Sequence, residues 1–114
     1  MTPALTVLQL DTQFPRIPGD VGCADTYTQP IEIIRVDQAT VASIVSDQPE
    51  LIAIAPFEPA LQNAQADLVV TSCGFLSYWQ EHLAALTDRT FISSSLIALG
   101  DLSQIYAPGE ILIL

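Results

Sequence analysis

The sequence predicts an α/β domain: a parallel sheet of four or five strands flanked by helices in three layers. Two observations predict it. Short apolar runs of strand length alternate with amphipathic stretches of helix length along the chain, and the connections between them are short. The 114 residues, half of them hydrophobic, suit one domain spanning 1–114 with a modest core.

The elements follow in order. "LTVLQL" (5–10) and "IEIIRV" (31–36) read as strands. Asp37 is positioned to cap a helix over "QATVASIVS", with Val41, Ala42 and Val45 on its apolar face. A second helical stretch runs from near Pro49 to about Ala66, with Pro56 and Pro59 expected to break or kink it. Then come the strand "DLVVTS", the helix "GFLSYWQEHLAAL" and the strand "RTFISS". Phe75, Trp79 and Leu83 share one face of that helix and are expected in the core. A helix from about Ser95 to Tyr106, a turn at "APGE" and the strand pattern "EILIL" complete the series. That last run must either complete this sheet or open a further domain, because an unpaired apolar strand is an adhesive edge.

Composition excludes several functions. Thirteen acids face three arginines (Arg16, Arg35, Arg89) and no lysine, a net charge of −10. Nucleic acid and anionic membrane surfaces both call for a basic footprint that this chain lacks. Without lysine there is no Schiff base for pyridoxal phosphate and no Walker phosphate loop. One histidine, His82, and two cysteines, Cys23 and Cys73, leave no metal-ligand motif and no disulfide framework. No apolar run reaches the roughly 20 residues of a membrane helix, and the N-terminus lacks the basic region of a signal peptide. A cytoplasmic protein is expected.

The chemistry concentrates where strands end. "DTQFPRIPGDVGCADTYTQP" (11–30) is a long loop with three prolines and two glycines, leaving the carboxyl end of the first strand. Cys73 leaves the third strand and Ser93 to Ser95 the fourth. In open α/β sheets ligands bind outside the carboxyl ends of strands, so these three polar loops are expected to converge. A cysteine there has two readings. It packs, as free cysteine commonly does. Alternatively it is a reactive thiolate, its pKa lowered by a helix starting at Gly74. Among the remaining polar residues, Arg16 is expected in an ion pair, Asp20 in a Pro-Gly-Asp turn and His82 on a helix surface.

Three stretches, "LQLDTQFPRIPGDVG", "ADLVVTSCGFL" and "TFISSSL", occur in this order between about residues 8 and 99. Together they resemble the first half of the aspartate/glutamate/hydantoin racemase superfamily, whose members join two similar α/β halves with one cysteine from each at the site. The resemblance implies half of that fold and cofactor-independent proton transfer at Cα of a small carboxylate or anion, with no metal. It implies Cys73 as the catalytic thiol base. It implies Asp11, Thr12, Thr71, Ser72, Gly74, Ser93 and Ser94 around the substrate. The second half and its cysteine do not occur in this chain, so a homodimer is expected to complete the site. The alternative is a catalytically inactive half-domain or a small-anion-binding module.

Overall fold

The computed structural model describes residues 2–114. Four strands, β1 (Thr6–Leu10), β2 (Glu32–Val36), β3 (Leu68–Thr71) and β4 (Thr90–Ile92), form one all-parallel sheet in the order β2-β1-β3-β4. The predicted α/β class is therefore the observed one. Helices α1 (Val41–Ile44), α2 (Phe57–Asn63), α3 (Gln80–Ala84) and α4 (Leu99–Ile105) flank the sheet.

Strand register divides the side chains between two faces. Thr6 pairs with Val69, Leu8 with Ile34 and Thr71, and Val69 with Phe91, so these residues share the first face. Here Leu8, Leu10, Val36, Val69 and Phe91 pack with Ile44, Phe57, Leu61, Leu76 and Leu83 into one core. On the second face Ile33, Val7, Val70 and Ile92 form a row across all four strands. A parallel sheet demands cover on both faces. The first face is sealed by α1 to α3. The second meets a thinner layer of Val21, Tyr27, α4 and residues 111–114, with a cavity between. The accessible surface shows the same imbalance. It is 7300 Å² for 12.3 kDa, roughly 1,200 Å² above the value for a compact monomer of this mass.

Local chemistry moved several element boundaries. Asp37 does not cap α1. Gln38 takes a left-handed φ of 69°, and Thr40 becomes the cap, accepting the Ser43 N–H at 3.2 Å. The resulting single turn buries Ile44 and leaves Val41 and Val45 exposed, reversing the expected apolar face. The stretch from Pro49 to Ala66 splits into a 3₁₀ turn (Pro49–Leu51) and α2. Pro56 stands at the N-cap of α2, and Pro59 lies in its first turn, where an N–H has no intrahelical partner to lose. The segment after Cys73 begins as a 3₁₀ helix (Gly74–Trp79) before becoming α3. Its tighter winding brings Leu76 into the core instead of Phe75, which is exposed.

The predicted final strand is absent. Ile111 to Leu114 follow a 3₁₀ turn (Pro108–Glu110) without joining the sheet, and Leu112, Ile113 and Leu114 are exposed. The amino edge of the sheet, by contrast, is tied down. Thr6 donates to Glu32 Oε1 at 2.7 Å and accepts the Ala66 N–H at 3.2 Å, while Arg89 donates to the carbonyls of Gln65 and Ala66. Phe57 is the largest fully buried side chain. Phe57→Ala is expected to cost about 3–5 kcal/mol, seen as a lowered urea midpoint at unchanged slope.

Candidate functional site

The site is positioned by strand order. From β1 the chain crosses to β2 on one side, whereas β3 lies on the other side of β1 and leads outward to β4. Neighbouring connections therefore diverge at the carboxyl ends of β1 and β3, the arrangement that opens a crevice in α/β sheets. Cys73 leaves β3 at this point. Cys73 is 7% exposed and lines a cavity of about 870 Å³ together with Thr71, Ser72, Gly74 and Ser94.

Two strand-end loops are stitched into one unit. The Thr71 hydroxyl donates to the Ser93 carbonyl at 2.6 Å and accepts the Cys73 N–H at 3.1 Å. The Ser77 hydroxyl donates to the Gly74 carbonyl and lies 3.0 Å from the Ser94 hydroxyl. A side-chain carbon on Gly74 would stand 3.2 Å from Leu96 Cδ1, so glycine permits the close approach of the two loops. Gln80 was not singled out from the sequence, yet it fixes the second loop. Its Oε1 accepts the Ser93 N–H and its Nε2 donates to the Phe91 carbonyl, both at 2.7 Å. The only signal for it in the sequence was a polar residue on the sheet side of an amphipathic helix.

The proposed substrate-contacting residues divide accordingly. Thr71, Ser72, Gly74 and Ser94 meet Cys73 at the cavity. Ser93 is fully buried behind its wall. Asp11 and Thr12 do not line it. The Asp11 carboxylate lies 3.8 Å from Arg35 Nε, and its N–H bonds to the Ala39 carbonyl, turning it toward β2. Thr12 accepts from Arg16, which also pairs with Asp20 at 3.1 Å and lies over the Phe14 ring. Arg16 is thus the ion-pair residue expected of it, and it organises the long loop. Gly19 supplies the left-handed turn there, at φ 105°. Asp20 accepts the Gly22 N–H at 2.7 Å, and this bond together with Arg16 holds its carboxyl below the ordinary range. That loop sends Val21 and Tyr27, rather than its first residues, to the cavity. His82 is exposed, its ring edge-on to Trp79.

The thiol departs from expectation. Burial pushes the Cys73 pKa up, and the N–H groups of Phe75 and Leu76 draw it back only in part. The expected lowering at the start of the helical segment is outweighed by desolvation of the sulfur. Cys73 therefore rests as a neutral thiol. The hydroxyls of Ser72 and Ser93 are buried without a protein partner. Cys23 and Cys73 are both free. Among the described residues no group of three His, Cys, Asp or Glu side chains is placed to hold a metal, and no helix is long and apolar enough to cross a membrane. No family model, curated protein or solved structure matches the chain.

Two outcomes are expected. Gln80→Ala leaves the Ser93 N–H and the Phe91 carbonyl unpaired at a cost of about 1–3 kcal/mol, visible as lower stability and faster amide exchange at Ser93. Alkylation of Cys73 is slow at pH 7 and still accelerating above pH 9, the ordinary thiol value. The unfolded thiol ionises first, so this group's contribution to stability is intact below pH 9 and falls as pH rises toward the folded value. Cys73→Ser removes that slope from the pH dependence of the urea midpoint.

Proposed function

We propose that the chain is a racemase-like half-site that binds a small carboxylate at Cys73 and exchanges its Cα proton without a cofactor, the opposite face being supplied by a second copy. The supporting observation is the placement of Cys73. A single thiol stands at the crevice between β1 and β3, at the wall of a cavity, beside a Ser72 hydroxyl with no protein partner. The resemblance of the three loop stretches to the aspartate/glutamate/hydantoin racemase superfamily names the reaction class.

Proton transfer next to a carboxylate breaks the Cα–H bond, moves its electron pair toward the carboxyl group and returns a proton to carbon. Ser94, Ser95 and the Gly74 backbone line the cavity next to Cys73 and are the groups nearest a bound carboxyl group. A thiol with a raised pKa is a proton donor at neutral pH and becomes a base only as its thiolate forms. Cys73 takes the Cα proton only through its thiolate fraction, which grows with pH, and as the thiol, exchanged with solvent, returns a proton to carbon. Inversion requires a second proton carrier on the other side of Cα. The roughly 1,200 Å² of surplus surface exceeds the roughly 800 Å² that one partner contributes to a standard interface, which favours a homodimer as its source.

A second reading is favoured by the neutral thiol. On this reading the domain binds small carboxylates or anions and performs no chemistry.

One experiment separates the two. The protein is incubated in D₂O with aspartate, glutamate and hydantoins, with Cys73→Ser as control and sedimentation to read its assembly. The first reading expects deuterium at Cα, faster with rising pH through the Cys73 ionisation, absent in the variant and tied to the dimer. Binding without exchange supports the second reading. Exchange that persists in Cys73→Ser sinks the assignment of the thiol.

A further inference from the structure

We propose that the cavity beside Cys73 selects a monocarboxylic acid with an apolar body and discriminates against dicarboxylates such as aspartate and glutamate. This rests on the small-carboxylate reading of the site and specifies its substrate class.

The distribution of side chains carries the inference. Most polar groups of the cavity (Thr71, Ser72, Cys73, Ser94, Ser95) gather at the carboxyl ends of β3 and β4. Away from that end, apart from Tyr27, whose hydroxyl is spent on the Val21 carbonyl, the wall is apolar, with Val70 and Ile92 from the sheet, Leu99 and Leu102 from α4 and Leu112 beyond it. At about 870 Å³ it falls within the size range of small-molecule sites. A ligand matching this layout has one polar head and an apolar remainder. The head meets Ser94 and Ser95 at that end, while the Ser72 hydroxyl lies buried without a protein partner.

Charge decides against the second carboxylate. Among the described residues no charged side chain lines the cavity. Each of the three arginines is engaged elsewhere: Arg16 with Asp20, Arg35 beside Asp11, and Arg89 with Asp67 and two carbonyls. A second carboxylate would lie unpaired against leucine and valine, inside a protein of net charge −10. A monocarboxylate leaves its one charge at the hydroxyl end and lays methylenes along the wall. Each methylene that becomes fully buried tightens binding about fourfold.

The test is titration of the ¹⁵N-labelled full chain with butyrate, hexanoate, octanoate, succinate and aspartate, following the amides of Ser72, Gly74, Ser94, Leu99 and Leu102. Octanoate is expected to shift all five, with affinity rising two- to fourfold per methylene from butyrate and at least tenfold above succinate and aspartate. Leu102→Arg changes a half-exposed position, so the fold survives it. It is expected to weaken octanoate and strengthen succinate, narrowing their ratio at least fivefold. Equal or tighter binding of the dicarboxylates, an unchanged ratio in Leu102→Arg, or no shift with any acid overturns the proposal. So do shifts that follow protein concentration and not octanoate, which would mean that a second copy fills the cavity. Cα exchange on aspartate without octanoate binding refutes this inference and leaves the proton-transfer reading standing. Octanoate binding without exchange on any acid supports the inference and refutes proton transfer.

Discussion

A parallel sheet has to be covered on both faces, and most features of this protein trace back to how unequally that requirement is met. On the first face α1, α2 and α3 close over Leu8, Leu10, Val36, Val69 and Phe91. On the second face, the row Ile33, Val7, Val70 and Ile92 receives a loop, one short helix and a chain end. Where a first crossover helix would pack, residues 11–30 contribute only a 3₁₀ turn, Ala24–Thr26. The cavity, the surplus surface and the exposed Leu112 to Leu114 are consequences of that sparse layer.

The same asymmetry governs the chemistry. Cys73 belongs to the core cluster of the first face and also lines the cavity of the second. Being at this seam makes it reachable by a ligand and desolvates it at once. Desolvation outweighs the two amides directed at its sulfur, so the thiol stays neutral. The surrounding loops show the opposite character. Thr71, Ser77 and Gln80 are committed to backbone or neighbouring hydroxyls, which holds the Cys73 and Ser94 loops in a fixed relation. A rigid frame around a neutral thiol suits selective binding, and it sets a pH requirement on any base catalysis.

The long loop shows how a lone cation is used in an acidic protein. Arg16 holds Asp20, Thr12 and the face of Phe14. With Tyr27 donating to the Val21 carbonyl and Thr26 to that of Asp20, a segment without strand or α-helix acquires a defined course. Arg16 and Asp20 pair with each other, the loop's charged side chains stay out of the cavity, and its Val21 and Tyr27 reach the cavity wall.

The sequence alone determined the α/β class, the strands near 6–10, 32–36, 68–71 and 90–92, and the meeting of Thr71, Ser72, Cys73, Gly74 and Ser94. Apolar runs and their spacing are local properties, and β-strands with short connections have few ways to assemble. Tertiary structure decided the rest. Whether Asp37 or Thr40 caps α1 depended on a single positive φ at Gln38. Whether Phe75 or Leu76 enters the core depended on 3₁₀ winding after Cys73. The "ILIL" pattern carried a strand's periodicity, but a strand exists only beside a partner, and Ile111 to Leu114 pair with neither edge strand, β2 or β4, and line the cavity instead. Asp11 faces Arg35 and Thr12 faces Arg16, and neither lines the cavity. The state of the Cys73 thiol was least legible of all, since it is a contest between burial and two backbone amides, and neither has any trace in the order of the residues.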